Sequence, residues 1–361
     1  MVKKIKKAAK GKAEKASDRL SLLFLKRLIE THGPSGNEKR VRDAIERELK
    51  LYVDEMYVDR MGNLIAHKKG EGRKVMVAAH MDEIGLMVKE ITKNGHIKIA
   101  TIGGIEPITL VGQTVRVYQK NDRLACTGVI TFAELHEDHE IEGMPDLDEL
   151  YIDTGLSRER LLKKGVDIGC YAVARHHFKR LGSDNIISGK ALDDRIGCFV
   201  LVEVARKLKG HKQDIFFVFT AQEEIGLYGA QVSTHELRPD WGMAIDTINA
   251  EDSDEFVTTG VNMGKGPVIL LKDAEIITNK KANDWILSVA KKQRIKMQLR
   301  VEEVGTTDAT KIFLSTKEGI PATTICVPVR NLHSTVGIAH VKDIRDTIHL
   351  LLELLKEPSK F

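Results

Sequence analysis

The sequence has 361 residues, of which 42 % are hydrophobic and 30 % are charged, and these ordinary globular values exclude a wholly disordered chain. No apolar run reaches the roughly 20 residues of a membrane helix, and the lysine-rich N-terminus lacks the apolar stretch of a secretory signal. The formal net charge of +4 comes from a short tail with seven lysines among its first 15 residues, so the rest is near neutral and neither a membrane nor a nucleic-acid partner is expected.

The N-terminal part of the chain is predicted to contain two helices and then two strands. Leucine, isoleucine and valine at helical spacing mark both helices within residues 20–50, and the loop HGPSG at residues 32–36 separates them. Ser35 is expected to cap the second helix, with Glu38 three residues later as in a capping box. Apolar runs at residues 63–66 and 75–79 predict strands on either side of a glycine turn.

Residues 88–172 have a different pattern from the rest of the chain. Short alternating apolar runs, such as those at residues 96–99 and 115–118, are separated by glycines. This pattern predicts a small β-rich unit inserted into a larger domain.

The C-terminal half alternates between strand and helix patterns. Buried strands are predicted at residues 214–220, 242–245 and 323–327, and helices at residues 193–208, 281–293 and 341–356. Such alternation favours an α/β fold with a mostly parallel central sheet flanked by helices. The expected organisation is a basic flexible tail (1–18), a main domain formed by residues 19–87 and 173–361, and an insertion (88–172).

Metal-binding residue types follow three of the predicted buried strands. His80 and Asp82 follow VMVAA, Glu223 and Glu224 follow IFFVFTAQ, and Asp246 follows GMAI. Ligand sites in open α/β sheets lie at the carboxyl ends of the strands. Two further groups could complete the set: the Asp193–Asp194 pair in GKALDDRIG, and His333 in RNLHS.

This combination of residues suits a pair of divalent cations. Two such ions roughly 3.5–4 Å apart need a bridging carboxylate and further imidazole or carboxylate ligands, while a free glutamate nearby would take a proton from water. One member of the Glu223–Glu224 pair could be a ligand and the other the base. Asp82 lies two residues after His80 and could accept the imidazole N–H, which would fix its orientation.

Each of these signals alone has an ordinary explanation, such as a helix cap, a solvated turn or a surface histidine. Their joint occurrence is different, because buried strands that repeatedly end in acids and histidines would lose stability unless a ligand compensates them. The four cysteines are scattered without a CxxC pair, which indicates reduced thiols and a cytoplasmic location.

The motifs HMDEIG, GKALDDRIG, QEEIGLYGA and LHS, in this order, closely resemble the signatures of tetrahedral (TET) aminopeptidases. Members of this family are also described as glutamyl, deblocking or endoglucanase-like enzymes. The resemblance extends over residues 20–356 and includes GPSGNE, DRMGNLIA, IGGIEPITLVGQ and GTTDATKIFLSTKEGIPATTICVPVR. It implies a zinc-exopeptidase-like α/β domain with an inserted PDZ-like dimerisation domain, and six dimers that close into a hollow dodecamer.

The resemblance also implies residue roles and a cofactor. His80 and Asp246 would hold one divalent metal ion, Glu224 and His333 would hold the other, and Asp193 would bridge them. Glu223 would be the general base and Asp82 the residue that orients His80. Zinc or cobalt would be the two metal ions of each subunit.

The expected function is therefore metal-dependent hydrolysis of the N-terminal residue of short peptides. A deacylase or carboxypeptidase could use the same metal site, because fold alone does not fix function. A non-catalytic peptide scaffold with structural metals is the alternative from another class.

Overall fold

The computed structural model describes residues 21–132, 143–175, 177–253 and 260–361, and the tail predicted at residues 1–18 lies outside them. The α-helices in chain order are α1 (Leu23–Glu30), α2 (Lys39–Leu49), α3 (Arg158–Lys163), α4 (Leu192–Lys207), α5 (Tyr228–Leu237), α6 (Lys280–Lys292), α7 (Asp308–Leu314) and α8 (Val341–Lys356). The strands are β1 (Glu55–Val58), β2 (Leu64–Lys68), β3 (Lys74–His80), β4 (Gly85–Ile91), β5 (Ile97–Ile102), β6 (Thr114–Tyr118), β7 (Leu124–Thr131), β8 (Tyr151–Asp153), β9 (Tyr171–Ala174), β10 (Lys179–Arg180), β11 (Ile186–Gly189), β12 (Asp214–Thr220), β13 (Trp241–Asn249), β14 (Val268–Lys272), β15 (Gln298–Val301), β16 (Ala322–Arg330) and β17 (Gly337–His340).

The central sheet has the strand order β1-β2-β12-β3-β13-β16-β17-β11-β10, and β14 and β15 extend it from β16. The predicted α/β fold is confirmed, but the sheet is mixed rather than mostly parallel. The central strands β12, β3, β13 and β16 form a parallel group, and β14 pairs parallel with β15. The strands β1, β2, β17, β11 and β10 pair antiparallel with their neighbours, and β14 pairs antiparallel with β16. The physical reason is the length of the connections: parallel neighbours need a long crossover, whereas β1–β2 and β16–β17 are joined by short loops.

Helices cover both faces of the parallel centre, as the apolar character of its strands requires. Val75, Val77 and Ala79 of β3 pack in a core with residues of α1, α2, α4 and α8. The alternate residues Met76 and Ala78 belong to a second core with residues of α5 and α7. Among the described residues, no helix combines the length and the apolar composition that crossing a membrane requires.

The β-rich segment forms a closed antiparallel barrel with the strand order β4-β5-β8-β7-β6-β9. Inward-facing aliphatic side chains, including Val88, Ile97, Val117 and Ile152, fill its core. The expected β-rich character is therefore present, while a PDZ-like form for this unit is not confirmed. In the chain, the barrel strands β4–β9 follow β1–β3 and precede β10–β17, so the barrel is inserted between two parts of the chain that both contribute to the central sheet.

Candidate metal centre

The candidate residues cluster at the carboxyl ends of the central parallel strands. His80 is the last residue of β3 and pairs with Thr220, the last residue of β12, so both strands end at the same level. On β13, Asp246 lies two residues beyond Ala244, which pairs with β3. The remaining candidates lie just beyond β12, at the start of α4 and just beyond β16: Glu223, Glu224, Asp193 and His333.

Asp193 is the residue that joins the two histidines. Its Oδ1 lies 3.2 Å from Nε2 of His80, and its Oδ2 lies 3.4 Å from Nε2 of His333. On the His80 side, Oδ1 of Asp246 is 4.0 Å from the same imidazole nitrogen. On the other side, Oε2 of Glu224 is 3.8 Å from Nε2 of His333.

These contacts form two groups of possible metal ligands that share one residue. His80, Asp193 and Asp246 form the first group, and Asp193, Glu224 and His333 form the second. Within each group, one ligand atom of each residue lies within 4.8 Å of the others. One histidine, one terminal carboxylate and one shared carboxylate are suitable donors for a divalent transition metal.

Glu223 lies beside these groups but belongs to neither of them. Its Oε2 is 3.9 Å from Nε2 of His80, and its side chain is only 10 % exposed. The turn after β12 therefore brings both adjacent glutamates to the site, although an extended segment would point them in opposite directions.

Asp82 positions that turn. Its Oδ1 accepts a hydrogen bond from the backbone N–H of Glu223 (3.1 Å), and its Oδ2 accepts one from the N–H of Glu224 (3.1 Å) and one from the Ser35 hydroxyl (2.6 Å). Nδ1 of His80 lies 3.5 Å from the Asp82 carboxylate and 3.2 Å from its backbone carbonyl oxygen. Asp82 thus lies next to His80 and also accepts hydrogen bonds from the turn that carries the two glutamates.

The model of the M42 glutamyl aminopeptidase family matches residues 62–350, the part of the chain that contains the two groups of possible metal ligands, Glu223 and Asp82. This chain belongs to the M42 family. It is 37 % identical over 337 residues to lysyl aminopeptidase from Pyrococcus furiosus, with 92 % of this chain and 96 % of that protein covered.

Solved structures agree with the M42 membership. The fold matches an aminopeptidase from the archaeon Desulfurococcus kamchatkensis with a TM-score of 0.89 and 36 % identity, covering 93 % of this chain and 94 % of that one. It also matches Pyrococcus horikoshii TET1 peptidase, which can assemble into a tetrahedron or a large octahedral shell, with a TM-score of 0.84, 32 % identity and coverages of 92 % and 98 %. The resemblance to TET aminopeptidases is confirmed, and this M42 chain is an aminopeptidase, a hydrolase that acts on peptides.

The electrostatics of the M42 site favour bound cations. Burial raises the pKa of Glu224 to about 8, and the neighbouring charge of Asp193 adds to this effect. Burial also raises the pKa of Glu223 and that of Asp246 well above their usual range. With only two histidines beside them, Glu223, Glu224 and Asp246 lack enough positive charge nearby to remain ionised, and divalent cations would supply it. The donor set therefore fits metal ions.

Asp193 differs from the acids around it. Burial alone would raise its pKa, but hydrogen bonds from His333 and His80 hold that pKa far below its usual range. The hydrogen bond to Asp193 in turn raises the pKa of His333 to about 9. Asp193 is thus the carboxylate at this site with the strongest tendency to stay ionised, which suits a residue shared by two cations.

The sequence did not indicate the buried hydrogen bonds that hold the segments next to the candidate ligands. Asp194 is fully buried and accepts hydrogen bonds from the backbone N–H of Gly197 (2.8 Å) and of His80 (3.3 Å). Lys190 donates to the carboxylate of Glu83 at 2.7 Å, and Glu83 also accepts from the N–H of Gly33. One feature of the sequence could have indicated these contacts: a lysine, an arginine and two aspartates lie in GKALDDRIG, next to an otherwise apolar helix.

Proposed function

We propose that this M42 chain removes the N-terminal residue of short peptides with the help of two divalent cations, most simply zinc or cobalt. His80 and Asp246 would hold one cation, Glu224 and His333 would hold the other, and Asp193 would bridge them. The observation that carries this proposal is that the two possible ligand groups share Asp193 and each contain one histidine. When bound, such cations supply positive charge that polarises a peptide carbonyl and lowers the pKa of water towards about 7.

Glu223 is the proposed general base. Its side chain is mostly shielded from solvent, it stands beside His80 without belonging to either ligand group, and Asp82 accepts a hydrogen bond from its backbone N–H. Its carboxylate would accept a proton from the attacking water and then deliver that proton to the nitrogen of the leaving amine. A structural site would have no need for this additional carboxylate, which favours an enzyme over a scaffold.

The test measures metal dependence and the role of Glu223 together. Release of amino acids from aminoacyl chromogenic substrates is compared for protein treated with chelator, protein reloaded with zinc or cobalt, a Glu223→Gln variant and a control Glu71→Gln variant at an exposed position. We expect activity to return with metal and in the control, and to fall by roughly 100-fold or more in Glu223→Gln while two metal ions per chain remain bound.

A metal-loaded chain that cleaves none of these substrates but removes C-terminal residues or acyl groups would overturn the proposal in favour of a carboxypeptidase or a deacylase. Full activity of Glu223→Gln would remove Glu223 from the mechanism.

The same proposal extends to domains and assembly. Residues 19–87 and 173–361 would form the catalytic domain, and residues 88–172 would form a PDZ-like unit that pairs two subunits. The TET1 peptidase, with its tetrahedral or octahedral shells, supports a closed particle for this chain too. Light scattering should give a mass of twelve 40.3-kDa chains for a tetrahedral dodecamer, and a stable monomer would contradict this assembly.

A further inference from the structure

The cleft beside the candidate metal centre, about 720 Å³ in volume, has a second set of acids in its wall. One acid of the cleft follows the end of each of the strands β13, β14 and β15. These three residues are here called the acidic wall: Glu251, Asp273 and Glu302. Among the described residues that line the cleft, none is a lysine or an arginine. A ligand side chain that enters this part of the cleft therefore meets negative charge.

The acidic wall is only partly neutralised by cations next to it. Arg300 donates to both carboxylate oxygens of Glu251 (2.9 and 2.6 Å) and to Oε1 of Glu302 (2.7 Å). Lys272 donates to the backbone carbonyls of Asp273 and Glu302 rather than to their carboxylates. Three carboxylates therefore face two cations, and Oε2 of Glu302 accepts no hydrogen bond from the described residues.

Two buried oxygens of residues that line the cleft, one in Asp273 and one in Thr247, also lack hydrogen-bond partners among the described residues. Oδ1 of Asp273 accepts hydrogen bonds from two backbone amides, but its Oδ2 has no partner among the described residues, and neither has Oγ1 of Thr247. Asp273 is 2 % exposed and Thr247 is 6 % exposed, so bulk solvent does not compensate them. Burial raises the pKa of Asp273, which a cationic partner would reverse. Unsatisfied buried acceptors of this kind indicate a donor that arrives with a ligand.

We propose that the acidic wall selects peptides whose first residue has a long cationic side chain, lysine or arginine. This inference rests on the proposed aminopeptidase function, because the first residue of the substrate occupies the cleft that the metal centre and the acidic wall share. Asp246 lies within β13, whereas Glu251 lies two residues beyond its end, and this separation along an extended strand favours a long side chain over a short one. An ammonium or guanidinium group would donate to the free oxygens of Glu302 and Asp273.

The experiment compares lysine with norleucine, which has a similar chain length and no charge. Values of kcat/KM are measured for lysyl, norleucyl and glutamyl p-nitroanilides, which contain a first residue and no second one, with the full-length, metal-loaded chain. Binding of free L-lysine and free L-norleucine is measured by calorimetry on the same samples. Glu302→Gln removes one charge of the acidic wall at nearly constant size, and Glu303→Gln removes the next, exposed charge as a matched control.

We expect the lysyl substrate to be cleaved roughly tenfold or more faster than the norleucyl one, and this ratio to fall by about tenfold in Glu302→Gln while Glu303→Gln keeps it. Equal rates for lysine and norleucine, or an unchanged ratio in Glu302→Gln, would overturn the proposal and leave the aminopeptidase function intact. If no substrate is cleaved, the proposed function fails by itself. Calorimetry then tests whether the acidic wall selects a cationic side chain. Tighter binding of lysine than of norleucine supports this selection, and equal binding overturns it.

Discussion

At the scale of single residues, the carboxylate of Asp82 connects three parts of the candidate centre. It accepts hydrogen bonds from the backbone N–H groups of Glu223 and Glu224 and from the Ser35 hydroxyl, and it lies next to His80. An Asp82→Asn variant keeps the size but replaces one acceptor oxygen by an NH2 group that faces these donors. We expect kcat/KM to fall by roughly 10- to 100-fold, with weaker metal binding, measured by steady-state kinetics and metal titration.

Ser35→Ala is the matched partner of that variant, because it removes only one of the hydrogen bonds to Asp82. It should therefore lower kcat/KM by less than Asp82→Asn does. Equal losses in both variants would mean that Asp82 acts mainly through Ser35 and not through the turn after β12.

The sequence predicted most of the candidate ligands because a position directly after a buried strand is a local signal. It predicted a different role for Ser35, which does not cap α2; its hydroxyl donates instead to Asp82, 47 residues away. Glu38 accepts from the N–H of the nearby Gly36 and also from that of Gln222, 184 residues away. Such long-range partners depend on how the strand ends meet, so neighbouring residues in the sequence do not indicate them.

At the scale of elements, the turn between β6 and β7 docks the barrel onto the loop before α2. Oδ1 of Asp122 accepts hydrogen bonds from His32 (2.5 Å) and Asn37 (3.0 Å), and its backbone carbonyl accepts one from Arg40 (2.8 Å). Asp122→Asn keeps the left-handed backbone at φ 67° accessible but removes the charge. We expect a free energy of unfolding lower by about 1–2 kcal/mol and a Tm lower by roughly 2–4 °C.

Differential scanning calorimetry would check this expectation against Asp146→Asn, an exposed aspartate of the same segment whose side chain makes none of these contacts. An equal Tm for both variants would show that the turn does not stabilise the junction.

The elements themselves differ in how well the sequence predicted them. The strand predicted at residues 214–220 and the helix predicted at 341–356 have those bounds in the structure, because a continuous apolar run and a long amphipathic period are strong local signals. The antiparallel edge strands and the closure of the barrel were not predicted. They depend on pairing between short strands such as β10 and β17, whose few residues have no distinctive period.

At the scale of the whole molecule, the buried acids of the candidate centre connect metal binding to stability. Burial raises the pKa of Glu224 from 4.5 to about 8, and the hydrogen bond to Asp193 raises the pKa of His333 from 6.5 to about 9. Between the lower and the higher value of each group, the folded metal-free chain binds more protons than the unfolded chain. Its free energy of unfolding therefore falls as the pH rises, and both groups contribute between pH 6.5 and 8.

Bound cations should remove this dependence, because metal ligands must be deprotonated and the cation then supplies the charge that the protons supplied. We expect the Tm of chelator-treated protein to fall steadily between pH 6.5 and 9, while the Tm of zinc-loaded protein stays level or rises over the same interval. The two series differ only in metal content, so the control is reloading of the chelated sample at each pH. Parallel curves for the two forms would mean that the cations do not bind at Glu224 and His333, and the dinuclear site would then have to be abandoned.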